Sequence, residues 1–187
     1  AGGDLLVQAA FRSYNQDVVT TRSSNNYGPY QYPEKLIPLM ITNALEHQAL
    51  PVYGRGDNVR DWLHVADHCE GLLAVLERGE SGRTYNFGGS CEKPNIEVVR
   101  TVLSILDRPE SLVRYVDDRP GHDLRYALDC RRAQLELGWK TRISFEQGIR
   151  DTTSWYIENQ DWWRSIKRGT FQEYYDRQYA ARLAGSP

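Results

Sequence analysis

Apolar positions along the chain recur with two alternating periods. Leu5, Leu6, Ala9 and Ala10, with Ser13 or Tyr14, fall at three-and-four spacing and predict an amphipathic helix. Almost no N-cap signal precedes that stripe, so the chain reads as entering inside a helix, with Asp4 as an improvised cap and Gly2-Gly3 open to the alternative of a tag scar. The β-branched run Val18, Val19, Thr20, Thr21 predicts a short buried strand flowing into the polar stretch RSSNNYGPYQYP. Pro33 fits the first turn of a helix whose buried face is Leu36, Ile37, Met40, Ile41, Ala44 and Leu45, interrupted near Pro38.

Pro51, Val52 and Tyr53 predict a strand closed by the turn GRGD, and RDWLHV predicts another. Asp67 and Glu70 stand in the D-x-x-E relation that caps a helix, which then runs through Leu72, Leu73, Val75 and Leu76 to a C′ glycine at Gly79. The run from Thr84 to Gly88 reads as a strand, and Asn95 as the cap of a helix bearing Ile96, Val99, Leu103 and Leu106. A strand from Leu112 to Val116 follows, then the loop DDRPGHD. Asp129 caps a short helix ending at Leu137 with Gly138 after it, and Ser144 with Gln147 opens a longer one through Trp155 and Ile157. The tail DWWRSIKRGTFQEYYDRQY mixes aromatic and polar residues without a clean period, as a helix lying on the body or a strap at an interface. Strand and helix alternate throughout, so the fold class is α/β, and no repeat or low-complexity linker marks a flexible boundary.

Composition narrows the partners. The 187 residues are 40% hydrophobic and 26% charged, the balance of a globular chain, and no apolar run approaches the roughly 18 residues that cross a bilayer. With a formal net charge of −2 and scattered Lys and Arg, the chain offers no basic field for a nucleic acid. Cys69, Cys91 and Cys130 form no CxxC pair, which argues against a disulfide framework or zinc and for a reduced, cytoplasmic compartment.

Neither GxGxxG, GxxxxGK[ST] nor GxSxG occurs. His64 and His68 stand at i, i+4, yet HVADH lacks the Glu that metallopeptidase chemistry needs, so no metal is expected. Arg55-Gly56-Asp57 reads as a tight turn. Two clusters carry candidate chemistry. Asn25, Asn26 and Tyr27, with Lys35 ten residues after Asn25, offer amide donors and acceptors suited to sugar hydroxyls or a nicotinamide carboxamide at a strand's carboxyl end. The loop Asp118-Arg119-Pro120-Gly121-His122, together with Arg60, offers cations suited to a diphosphate, unless Arg60 is spent on Asp57 or Asp61.

The runs RSSNNYGPYQYPEKLIPLMI, ALPVYGRGDNVRDWLHVADH and YVDDRPGHDLRYALD closely resemble the C-terminal half of the dTDP-glucose 4,6-dehydratases, NAD-dependent enzymes of the extended short-chain dehydrogenase/reductase family. NYGP and RDWLHV are shared widely among nucleotide-sugar enzymes; YPEKLIP and DRPGHDLRYA are more specific. The resemblance implies a remnant of the NAD-binding Rossmann domain over 1–30, a nucleotide-sugar-binding domain over 31–160 with segments returning to the Rossmann sheet, and an aromatic tail over 161–187. It implies that Asn25, Lys35 and Leu36 meet the hexose, that Asn26 reaches the nicotinamide end of NAD, and that Pro51, Val52 and Tyr53 border the nucleoside. Arg60 would hold the diphosphate, with Asn95, Arg119 and His122 closing over the nucleotide.

It further implies a lyase in which a Tyr base assisted by Lys takes the C4 hydroxyl proton, NAD takes the C4 hydride and returns it to C6, and acidic residues expel water across C5 and C6. The family's glycine-rich NAD loop, Thr-Asp-acid trio and Tyr-x-x-x-Lys all match positions ahead of Ala1, so no catalytic proton-transfer residue is expected here and the chain alone is expected to be inactive. A homodimer or a companion N-terminal chain is the expected partner. A related nucleotide-sugar epimerase or decarboxylase, or a non-catalytic binding or dimerisation module, are the alternatives.

Overall fold

The protein was analysed as a computed structural model that describes residues 2–168 and 170–184. In chain order the elements are α1 (Gly2–Tyr14), β1 (Thr20–Ser23), β2 (Asn25–Tyr27), α2 (Leu36–Leu45), β3 (Leu50–Tyr53), β4 (Val59–His64), α3 (Val65–Arg78), β5 (Thr84–Phe87) and β6 (Glu92–Pro94). Then come α4 (Asn95–Ile105), β7 (Val113–Val116), β8 (Arg125–Tyr126), α5 (Arg131–Leu137), α6 (Phe145–Glu158), α7 (Gln160–Lys167), α8 (Thr170–Tyr175), the wide turn Asp176–Ala180 and α9 (Ala181–Ala184). Strand and helix alternate as the periodicity predicts.

The chain weaves between two compact units. The first takes Ala1–Asn26, Asp61–Glu92 and Tyr126–Phe145; the second takes Tyr27–Arg60, Lys93–Arg125 and Glu146–Pro187. Each unit holds a parallel strand pair. In the first, β1 runs alongside β5 with Ser23 opposite Phe87, and in the second β3 runs alongside β7 with Tyr53 opposite Val116. A parallel pair puts both carboxyl ends at one edge, so the loops that leave them are neighbours.

The first unit's core gathers Leu63, Tyr85, Phe87, Cys130, Ala133, Leu137 and Trp139 around Ala74. Helix α3 turns Asp67, Gly71 and Ala74 inward and leaves Leu73 51% and Leu76 85% exposed. Gly71 is there because a Cβ would come within 2.6 Å of the Phe87 ring. Likewise α1 forms as its stripe predicts, yet Leu5 and Leu6 stay 70% and 74% exposed. In the second unit α2 is buried on nearly every side, from Ile37 to Ala44, and packs on α4 and β3.

Several local expectations are corrected. Pro33 lies in the turn before α2, and Pro38 does not interrupt that helix: it is the third helical residue, where an N–H has no intrahelical partner to lose. Asp67 is not an N-cap. His64 takes that role, its Nδ1 accepting from the Ala66 N–H at 3.3 Å, and Asp67 is buried one turn further on. Gly79 closes α3 with φ −65° rather than in the left-handed form; a Cβ there would sit 2.5 Å from the Val75 carbonyl oxygen. Asn95 is the first residue of α4, not its cap, and Cys130 rather than Asp129 precedes α5, although Asp129 Oδ1 still accepts the Arg131 N–H at 2.9 Å. Gly138 does adopt the left-handed conformation that ends a helix, at φ +64°.

Candidate functional site

The second unit's strand pair builds the site. Tyr53 ends β3, and the next residue, Gly54, donates its N–H to the Val116 oxygen at 2.8 Å, so the chain turns away just where β7 enters the DDRPGHD loop. Both Gly54 and Gly56 take positive φ, +55° and +75°, and a Cβ on Gly56 would approach Ile96 Cβ to 2.8 Å and Val52 Cγ1 to 2.9 Å. Only glycine fits that turn. Arg55 and Asp57 pair with each other across it.

The turn then pins the start of α4. Carbonyls of Gly56 and Asn58 accept the N–H groups of Ile96 and Asn95, each at 3.0 Å, which relieves two of the helix's unpaired donors without a side-chain cap. The Asn95 side chain is thereby released, and its Oδ1 is buried with no hydrogen-bond partner among the described residues. A buried amide oxygen left so is costly unless a ligand donates to it.

Arg60 lies against the same loop from β4. Its Nη1 donates to its neighbour's carbonyl, Val59 O, at 2.7 Å, and its Nη2 to Asp123 O at 2.9 Å, so neither Asp57 nor Asp61 takes its charge. Burial lowers the Arg60 pKa, and the neighbouring Asp123, Arg119 and Asp118 charges all reach it. Asn58 donates to the same Asp123 carbonyl at 3.2 Å and Val59 N–H to Leu124 O at 2.8 Å. Within the loop, His122 Nδ1 meets Asp118 Oδ1 at 2.6 Å, and that hydrogen bond holds the Asp118 carboxyl below its ordinary range. The Arg119 guanidinium lies 5.3 Å from the Tyr53 ring centre, and the His122 ring stands edge-on to the same ring at 6.0 Å.

Tyr53, Arg60, Asn95, Arg119 and His122 are therefore gathered in one unit as two cations, an imidazole, an aromatic ring and an unsatisfied amide. Pro51 and Val52 are buried within that unit, leaving Tyr53 as the member of the triplet at its surface. Lys35 precedes α2, exposed and paired with Glu34 at 2.7 Å, and Leu36 is the first helical residue. Asn25 and Asn26 belong to the first unit, on β2 just beyond the end of β1. There the Asn26 amide donates to Ser23 Oγ at 3.0 Å and Ser24 O at 3.1 Å, while Ser24 Oγ is buried without a hydrogen-bond partner among the described residues.

Besides Tyr179, whose ring lies 6.0 Å from that of Tyr53, two residues of the tail reach the cluster, and sequence reasoning missed all three. Tyr174 lies within electrostatic range of Glu34, Tyr53, Lys35 and Arg119, and burial raises its pKa. Arg182 donates from Nη1 to the Tyr53 hydroxyl at 3.0 Å. Neither position has a local signal beyond the aromatic and basic character of the tail. Of the histidine pair, His64 Nδ1 accepts from the Ala66 N–H, and His68 lies beside Phe87, where burial lowers its pKa; no group of three or more His, Cys, Asp or Glu side chains placed to hold a metal occurs among the described residues.

The profile of the family described as GDP-mannose 4,6 dehydratase matches residues 1–152. The chain belongs to that family. Among curated members it is 49% identical to a dTDP-glucose 4,6-dehydratase of Shigella flexneri over 189 residues, covering 97% of this chain and 52% of that one. Two crystal structures of family members superimpose closely. One is the dTDP-glucose 4,6-dehydratase from Bacillus anthracis in complex with NAD, at TM-score 0.84 and 49% identity over 88% of this chain and 52% of that one. The other is the Streptomyces venezuelae enzyme DesIV with NAD and TYD bound, at TM-score 0.86 and 48% identity over 89% and 52%. The chain thus spans about half the length of the family members it matches. No helix among the described residues is long and apolar enough to cross a membrane.

Proposed function

We propose that this chain is the nucleotide-sugar-binding half of a dTDP-glucose 4,6-dehydratase, the NAD-dependent lyase that converts dTDP-glucose to dTDP-4-keto-6-deoxyglucose and water. The observation that carries this reading is that Arg119 and His122 meet Tyr53 at the carboxyl ends of β3 and β7, with Arg60 against the same loop and the Asn95 amide at the turn that follows β3. Arginine forks match diphosphate oxygens, the tyrosine ring offers a flat apolar wall to a nucleoside, and the asparagine oxygen can accept from a base or ribose donor. Lys35, Leu36 and Asn25 are assigned to the hexose, and Pro51 and Val52 set the strand that carries Tyr53 to the nucleoside.

The donor set beyond β1 fits the carboxamide end of NAD, because Asn26 is held by two hydrogen bonds and the buried Ser24 hydroxyl has no hydrogen-bond partner among the described residues. When bound, NAD supplies hydride acceptance and return. This chain's residues anchor the diphosphate, fix the nucleoside and orient the sugar. No Tyr-x-x-x-Lys occurs in the 187 residues, so the proton transfers fall to residues outside them and the chain alone does not turn over. The assembled enzyme is read as a homodimer of the cytoplasm, which sedimentation equilibrium of the enzyme tests.

Calorimetric titration of this chain with dTDP tests the reading. Saturable binding that weakens with salt is expected, with a loss of about tenfold in Arg119→Ala. Absence of binding, binding indifferent to both Arg60→Ala and Arg119→Ala, or formation of the 4-keto sugar by the chain alone would overturn it.

A further inference from the structure

The residues that match the family profile stop at 152, yet the site does not. Two groups of the tail converge on one side chain. Arg182 of α9 donates to the Tyr53 hydroxyl at 3.0 Å while its guanidinium carbon lies 5.2 Å from the centre of the Tyr53 ring. The Tyr179 ring, 6% exposed, lies tilted against Tyr53 at 6.0 Å, and the two phenols share a hydrogen bond that, with burial, pushes the Tyr179 phenol up. Arg182 is itself anchored to its own segment, donating to Gln178 O at 3.2 Å.

An aromatic ring at a strand end turns freely about two side-chain torsions, and a ligand that stacks on it must first freeze them. Here the far end of the ring is tied down before any ligand arrives. A charge-assisted hydrogen bond to the hydroxyl fixes the direction of the ring, and Tyr179 supports it from the tail. On the loop side, Arg119 and His122 meet the same ring.

We propose that Arg182 is a positioning residue for the nucleotide site: it holds the Tyr53 ring in the orientation that receives the nucleoside, and it does not itself contact the diphosphate. This rests on the dTDP-binding reading above.

The test titrates thymidine and dTDP into the wild-type chain, Arg182→Met, Tyr53→Phe and the double variant, with thermal melts to compare folding. Tyr53→Phe keeps the ring and removes only the hydroxyl that Arg182 grips, so it reports even if Arg182→Met folds poorly. Arg182→Met is expected to weaken thymidine and dTDP by the same factor, about fivefold. Tyr53→Phe, which also removes the hydrogen bond to Tyr179, is expected to weaken both at least as much, and the double variant no further than Tyr53→Phe alone, since the Arg182 contact is already gone there. A loss confined to dTDP would make Arg182 a phosphate ligand and overturn the proposal. So would additive losses, or unchanged affinities in a wild type that binds. If the wild type binds neither ligand, the nucleotide-site reading itself fails and the positioning role falls with it.

Discussion

Asp67 holds Ile143 in place: its Oδ2 accepts that residue's N–H at 3.0 Å, and the N–H of Arg142 at 3.1 Å. Asp67 is 3% exposed, and its own carbonyl accepts the Trp139 indole N–H at 2.8 Å. One turn of α3 thus fastens the segment that follows α5. Removing the carboxylate leaves two amide donors without their charged acceptor. Asp67→Ala is expected to cost about 2–4 kcal/mol in urea unfolding, and Asp67→Asn, which keeps one acceptor, about half of that. Equal losses in the two variants would show that the neutral oxygen kept in Asp67→Asn contributes nothing, and an unchanged Asp67→Asn that the charge contributes nothing.

Gly89 approaches β4 more closely than any side chain permits. A Cβ there would lie 1.7 Å from the Trp62 carbonyl oxygen, and the Gly89 N–H is held by Asp61 Oδ2 at 3.0 Å. Backbone cannot yield as a flexible side chain does, so Gly89→Ala is expected to destabilise by about 3 kcal/mol or more. Circular-dichroism melts of the variant beside wild type check this, and an unchanged melt would refute it.

Asp129 gives a pH signature at the start of α5. Hydrogen bonds from the Arg131 side chain and N–H hold its carboxyl at about 2, below the ordinary 3.8. Because the folded value lies below the unfolded one, the contribution is fully present above about 3.8 and disappears as the pH falls through about 2. Carbon-detected NMR of the Asp129 carboxyl is expected to titrate near the lower value in wild type and nearer the ordinary one in Arg131→Gln.

The cysteines should separate by reactivity. Cys69 is exposed and Cys130 is buried, where loss of solvation pushes its thiol above the usual range. In an aromatic-disulfide titration the fast phase should vanish in Cys69→Ser, and Cys130 should react only after denaturation. A fast phase that persists in Cys69→Ser but is lost in Cys130→Ser would contradict the packing.

Local patterns marked most elements, because periodicity and turn residues act over a few positions. The stripe at Leu5 and Leu6, the strand at Val52 and the Gly138 stop all appear where they were read, whereas the buried strand read over Val18 to Thr21 begins only at Thr20, runs to Ser23 and has no buried residue. Caps were less legible. Asp67 and Asn95 carry the side chains that capping favours, but distant backbone overrode both: Ile143 and Arg142 claimed the first, and carbonyls of the Gly56 turn made the second unnecessary. Part of the site was visible as donors in sequence, with Arg60, Arg119 and His122 readable as cations and imidazole near glycine and proline.

The amino-acid order by itself determined the α/β alternation, the candidate strand ends and the donor and cation types found there, since these follow from short-range sterics and side-chain chemistry. Tertiary structure alone decided that Tyr53 would be gripped by Arg182, 129 positions away, and that Asn95 would keep a buried oxygen without a partner among the described residues. Contacts at such separation depend on how the β3–β7 pair and the C-terminal helices pack, and no local window of sequence contains that information.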